Sequence, residues 1–149
     1  MDAFLDSLFN QRELLIAALA GAFTIVGIKM IPRLLAGVGF IGPREVSQRL
    51  KAGEDCLVLD VRQPDEFRDE LGHVPGALNL PLSDLNRRMA ELKPQLAPYA
   101  DTPVYVMCRT ASRAASAARV LKGAGLNKVQ VVAGGMVKWN REKLPTTRR

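Results

Sequence analysis

Pro103-Val104-Tyr105-Val106-Met107-Cys108-Arg109-Thr110-Ala111-Ser112-Arg113 is the stretch that decides the fold. Val104 to Met107 is a β-branched, apolar run, the pattern of a buried strand. Ala114 to Lys122 is alanine-rich and reads as a helix. Cys108 therefore falls in a tight loop, after a strand and before a helix. The first N–H groups of a helix have no intrahelical acceptor, and the dipole there is positive. Both effects favour a thiolate over a thiol and mark Cys108 as a nucleophile. Arg109 and Arg113 flank it. Cations are disfavoured at a helix N-terminus, so two of them here imply that an anion belongs between them.

Outward from this loop, strands alternate with helices. A first strand is expected near Val38 to Ile41. A helix follows from Pro43 to Lys51, with Val46 and Leu50 on one face and Gly53 closing it. Cys56 to Val61 is a continuous apolar run, as in a parallel strand buried on both faces. Arg62 to Glu70 reads as a loop with a short helix, and Gly72 to Gly76 as a turn. Ala77 to Leu80 is a short strand. Ser83 and Asp84 are expected to cap a helix from Leu85 to Leu92, with Pro94 and Pro98 bracketing a connector. Beyond the Ala114 helix, stopped by Gly123 and Gly125, Lys128 to Val132 is a strand. Gly134-Gly135 then turns into a helix around Val137 to Glu142, closed by Pro145. This order predicts an α/β fold with a mostly parallel central sheet flanked by helices. Sites in such sheets lie at the carboxyl ends of the strands. Cys108, Asp60-Val61-Arg62 and Gly134-Gly135 all fall at such ends and are expected to meet.

The chain has 149 residues, room for one domain and a short appendage. Its net charge of +6 fits an anionic substrate or an anionic lipid surface. Nucleic acid is not expected, because only 5% of residues are aromatic and no basic run is interleaved with them. The two cysteines make no disulfide framework, and one histidine gives no zinc spacing. Cys56 opens a predicted strand and reads as core filler.

Leu14 to Ile28 carries no charge, and with Lys29 snorkelling the apolar span reaches Ile31, or 18 residues. It has no polar face, as a core helix would, and no basic leader, as a signal peptide would. It is read as a transmembrane helix over 14–31, ended by Pro32. Lys29, Arg33, Arg44, Arg49 and Lys51 follow it, against Arg12 before it. The positive-inside rule then puts the N-terminus outside and the domain in the cytoplasm. The expected organisation is an N-terminal segment 1–13, the helix 14–31, a linker 32–37, a domain 38–145 and a basic tail 146–149, read as a solvated end.

Three stretches resemble the signatures of the rhodanese-like domain family. They are Leu59-Asp60-Val61-Arg62 with Asp65-Glu66-Phe67 and Gly72 to Pro81; the six-residue loop Cys108 to Arg113; and Gly134-Gly135-Met136 with Trp139 and Leu144-Pro145. The resemblance covers residues 38–145 and implies a rhodanese fold and sulfurtransferase chemistry. Cys108 would take the outer sulfur of a donor such as thiosulfate, become a persulfide, and pass the sulfur to cyanide or a thiol. No cofactor beyond that covalent intermediate is implied. A single domain behind an N-terminal anchor is similar to the small bacterial inner-membrane rhodaneses. That similarity implies a plasma-membrane location, lipid contact through the helix, and possible membrane-protein partners. The chain departs from the family pattern twice. Ala111 stands where glycine is frequent; a positive φ there would cost alanine about 1 kcal/mol. The reading here is that the backbone suits alanine. Four residues separate Phe67 from Gly72 where the shorter family form has two, expected to be a harmless surface variation.

Cys108 is the expected catalytic residue. Arg109, Thr110, Ala111, Ser112 and Arg113 form the expected substrate-binding loop, whose N–H groups make an anion nest. Arg113 is the stronger anion ligand; the bland alternative is a salt bridge to a carboxylate. Arg109 either binds or merely tunes approach. Asp60 and Arg62 are expected to support the loop through hydrogen bonds, His73 to fix its turn, and Trp139 to fill the core. A cysteine phosphatase would need five residues between cysteine and arginine, and here there are four. The remaining alternative is a membrane-tethered interaction or regulatory module with little turnover.

Overall fold

The structure, a computed structural model, describes residues 37–149; the expected N-terminal segment, transmembrane helix and most of the linker lie outside the described residues. Among the described residues no helix is long and apolar enough to cross a membrane.

Five strands form one sheet: β1 (Gly39–Ile41), β2 (Leu57–Asp60), β3 (Leu78–Asn79), β4 (Val104–Met107) and β5 (Val129–Val132). Their spatial order is β1-β5-β4-β2-β3, and every pairing is parallel. The helices are α1 (Pro43–Lys51), α2 (Pro64–Phe67), α3 (Leu82–Leu96), α4 (Ser112–Gly123) and α5 (Gly135–Arg141), with a 3₁₀ turn at Ala97–Tyr99. The expected α/β class and parallel sheet are both present.

Alternation along the strands builds two cores. Val104 and Val106 of β4, with Leu59 and Val131, face Leu85 of α3 and Ala114, Ala117, Ala118 and Leu121 of α4. Tyr105 and Met107 face the other way, with Val58 and Val132, onto Val46 of α1 and Met136 and Trp139 of α5. The alanines explain the close approach of α4, since they present no side chain beyond Cβ. Trp139 is core, as expected, and its indole N–H donates to the Pro145 carbonyl at 2.9 Å.

Two local expectations are corrected. The third helix is longer than its prolines suggested. It starts after Pro81 with no side-chain cap, so Ser83 and Asp84 lie inside its first turn, and it runs through Pro94 to Leu96. Leu85, Met89, Leu92 and Leu96 recur at helical spacing and pack against the sheet, which carries the helix past an exposed proline. Cys56 is half-buried and packs against the edge of the second core rather than inside it. It precedes β2, whose ladder begins with Leu57 N–H donating to Pro103 O at 2.9 Å, and it lines an apolar cleft with Leu78, Leu96 and Tyr99.

The chain end is not free either. Thr147 exchanges both backbone hydrogen bonds with His73, and the Arg148 guanidinium donates to Glu70 O at 2.8 Å. The tail therefore fastens the turn that precedes β3.

Candidate active site

The carboxyl ends of β2, β4 and β5 meet at one edge of the sheet, as strand order dictates. Cys108 follows β4 directly. Its main chain is gripped by the start of α5: Met136 N–H donates to Cys108 O at 2.8 Å, and Val137 N–H donates to Arg109 O at 3.1 Å. This approach needs glycine. Gly134 and Gly135 have φ of +76° and +55°, and a Cβ on Gly135 would stand 2.6 Å from Arg109 C and O. The Cys108 and Gly134-Gly135 stretches are thus brought together, with Gly135 acting through space as well as through turn geometry.

Cys108 is only 1% exposed. Its Sγ accepts the Ala111 N–H at 3.2 Å, so the loop curls back on the sulfur. That curl puts Ala111 at φ +139°, ψ −15°, a conformation that L side chains rarely adopt. The expectation of a backbone suited to alanine is overturned. Alanine is strained here, by about 1 kcal/mol. A non-glycine residue held in such a conformation beside a nucleophile is typical of strain kept for function. Thr110 and Ser112 are exposed on the outer side of the loop, followed by the first turn of α4.

The arginines are placed differently from the simple anion-ligand reading. Arg113 makes a two-pronged pair with Glu66, Nη1 to Oε2 at 2.6 Å and Nη2 to Oε1 at 2.7 Å. The Arg113 guanidinium holds the Glu66 carboxyl far below the usual carboxylate range, at about 2, and Glu66 raises Arg113 in turn. Arg109, 45% exposed, meets Asp69 at 3.3 Å and Glu70 at 3.8 Å. Both loop cations are therefore neutralised by carboxylates of the segment after β2. Asp69 and Glu70 lie between Phe67 and Gly72, so that variation is not a harmless one: it supplies the acids facing Arg109.

Asp60 and Arg62, expected to support the Cys108 loop through hydrogen bonds, instead bond each other and the segment after β2. Arg62 is fully buried and donates to both Asp60 oxygens, with Nη2 to Oδ2 at 2.7 Å. It also donates to Glu66 O and Gly72 O, each at 2.7 Å. One side chain thus ties the end of β2 to both ends of the acidic segment. Asn79 of β3 adds Nδ2 donations to Asp60 O and Arg62 O. His73 stacks on Phe67 at 3.5 Å between ring centroids, and its Nδ1 lies 2.8 Å from Phe67 O. It fixes the turn, as read.

Sequence reasoning missed Glu66, Asp69, Glu70 and Asn79. Glu66 carried a signal. It stands three residues after Gln63 with Pro64 between, and Gln63 N–H does donate to Glu66 Oε2 at 3.1 Å, a capping box. That signal explains the helix turn and says nothing of Arg113, 47 residues away.

A rhodanese-like domain family model matches residues 42–142. The chain belongs to the rhodanese-like domain family. A sulfurtransferase of Allochromatium vinosum is 34% identical over 108 residues, covering 72% of this chain and 94% of its own. YqhL of Bacillus subtilis, described as uncharacterized, is 39% identical over 93 residues, 62% of this chain and 68% of its own. Among solved structures, a rhodanese-related protein from Thermoplasma volcanium superposes with a TM-score of 0.60 at 29% identity. It spans 74% of this chain and 99% of its own. In this rhodanese-like domain the Cys108 loop and the Asp60–Arg62 brace are the elements that the sheet topology brings to one edge.

Proposed function

We propose that the protein is a membrane-anchored sulfurtransferase that carries sulfane sulfur as a Cys108 persulfide. The Cys108 thiolate attacks the outer sulfur of a donor such as thiosulfate. The sulfur–sulfur bond of the donor breaks, sulfite leaves with the electron pair, and Cys108 holds the transferred sulfur as a perthiolate. A thiol or cyanide then attacks that outer sulfur and the thiolate is regenerated. The observation that carries this reading is the hydrogen bond from Ala111 N–H to Cys108 Sγ, in a loop that leads straight into α4. Amides at a helix start favour negative charge on sulfur, both in the thiolate and in the perthiolate. The small loop, with four residues between Cys108 and Arg113, favours a sulfur atom over a bulkier phosphate ester.

The anchor is proposed from the uncharged run Leu14 to Ile28 and the basic residues after it. It would hold the domain on the cytoplasmic face of a bacterial plasma membrane. Protease digestion of sealed, right-side-out vesicles tests this; a domain cut from the outer side would overturn it.

The deciding experiment for the reaction is intact mass after thiosulfate treatment. A gain of one sulfur atom, absent in Cys108→Ser, is the expected result. No gain in the wild type, from thiosulfate or from a singly charged thiosulfonate, would overturn the reading. The near-complete burial of Cys108 favours a second reading, a tethered interaction module with little turnover. Partners captured equally by wild type and Cys108→Ser, with no sulfur gained, would establish that one.

A further inference from the structure

Glu66 takes up the Arg113 guanidinium that ends the Cys108 loop. Its carboxylate takes both outer nitrogens of Arg113, at 2.6 and 2.7 Å. It is not a loose surface partner. Its carbonyl is held by the buried Arg62 at 2.7 Å, and its carboxylate also accepts the Gln63 N–H at 3.1 Å. The Glu66 main chain is therefore placed by Arg62, and its carboxylate is held by Arg113 and the Gln63 N–H.

The positive features left for a donor are then few. Arg113 is neutralised, and Arg109 faces Asp69 and Glu70. Beside Cys108, among the described residues, what stays positive is the start of α4, a helix of 12 residues, whose preceding Ala111 N–H already donates to the sulfur. That feature attracts one negative charge. A doubly charged donor brings its second charge against the Glu66 carboxylate and must displace it from Arg113.

We propose that Glu66 is the residue that determines donor charge, so that the site prefers singly charged sulfane-sulfur anions, thiosulfonates and perthiolates, over the thiosulfate dianion. The inference rests on the sulfurtransferase reading and refines its donor. For a thiosulfonate, the Cys108 thiolate attacks the outer sulfur and the bond between that sulfur and the sulfonyl sulfur breaks. The sulfinate leaves with the electron pair, and Cys108 is left as a perthiolate, with charge conserved. Glu66 acts through Arg113 and touches no reacting atom, so it is a positioning residue.

The test compares thiosulfate with benzenethiosulfonate, which carries the same transferable sulfur and one charge fewer. Steady-state kcat/KM is measured for both donors with the full chain in detergent, in wild type and Glu66→Gln. Glutamine keeps the shape and removes the charge. The expected result is a rise of about tenfold in the thiosulfate-to-benzenethiosulfonate ratio in Glu66→Gln. A purely structural role would lower both rates together and leave the ratio unchanged, which would overturn the proposal. A second measurement does not depend on turnover: calorimetric binding of thiosulfate to Cys108→Ser and to Cys108→Ser with Glu66→Gln. Binding about tenfold tighter in the double variant supports the proposal, and equal affinity overturns it. Should neither donor load the wild type with sulfur, the sulfurtransferase reading falls, and this binding comparison still decides what Glu66 does.

Discussion

Met136 N–H donates to Cys108 O at 2.8 Å, so the first turn of α5 forms the floor beneath the reactive loop. The contact works because Gly135 has no side chain; a Cβ there would stand 2.6 Å from Arg109 C and O, at a φ of +55°. Gly135→Ala must push the loop or the helix aside. The expected cost is about 1–3 kcal/mol of stability, with loss of sulfur transfer even where the protein stays folded. Thermal unfolding and persulfide formation on the same sample check it. A variant that folds and transfers sulfur like wild type would show that the glycine is needed only for its turn.

Asp60 and Arg62 form a buried ion pair in which every arginine nitrogen has a partner. Removing one member leaves the other charge buried and unpaired. Arg62→Met is expected to destabilise by about 3–5 kcal/mol, and Asp60→Asn by less, since the amide oxygen still accepts. Chemical denaturation measures both. Replacing Asp60 and Arg62 together with apolar residues should recover part of the loss, because the desolvation cost goes with the pair. A double variant worse than Arg62→Met alone would contradict this account.

The fold was legible because its signals are local. Val104 to Met107 and Cys56 to Val61 read as buried strands, and Lys128 to Val132 as a strand, and the structure places Val104–Met107, Leu57–Asp60 and Val129–Val132 in the sheet. Cys108 was legible for the same reason, since a strand end and a helix start fix its position. The arginine partners were not. Glu66 and Arg113 are 47 residues apart, and only folding decides between the anion ligand that sequence favoured and the salt bridge to a carboxylate that was its alternative, and names the carboxylate. Pro94 misled in the opposite direction. A local breaker signal was outweighed by the Leu85-Met89-Leu92-Leu96 stripe packing on the sheet. Ala111 shows the limit most clearly. Alanine at that position carries no local sign of a positive φ, which arises from the curl that brings its N–H to the Cys108 sulfur.

That curl makes its own prediction. Ala111 at φ +139° is strained, and glycine adopts this conformation freely. Ala111→Gly is expected to raise stability by about 0.5 kcal/mol, the relieved strain slightly exceeding the extra chain entropy of glycine in the unfolded state. Midpoints of denaturant unfolding at equal m-value decide the sign. A lower midpoint for the glycine variant would mean that the loop holds alanine without strain.

The Glu66–Arg113 pair predicts how stability responds to acid. Arg113 holds the Glu66 carboxyl at about 2, down from an ordinary 4.5. A carboxyl lowered by folding binds its proton less readily in the folded state than in the unfolded one. Its contribution is therefore complete above the unfolded value and is lost as pH falls through the folded one. Both partners are partly solvated, so the contribution is about 1 kcal/mol rather than the full shift. Wild type is expected to exceed Glu66→Gln by a constant margin above about pH 5.5, and the margin should shrink steadily between about pH 4.5 and pH 2. Denaturant unfolding of both proteins across that range measures it. A margin that stays constant down to about pH 2 would show that folding does not lower the Glu66 carboxyl and would contradict this account.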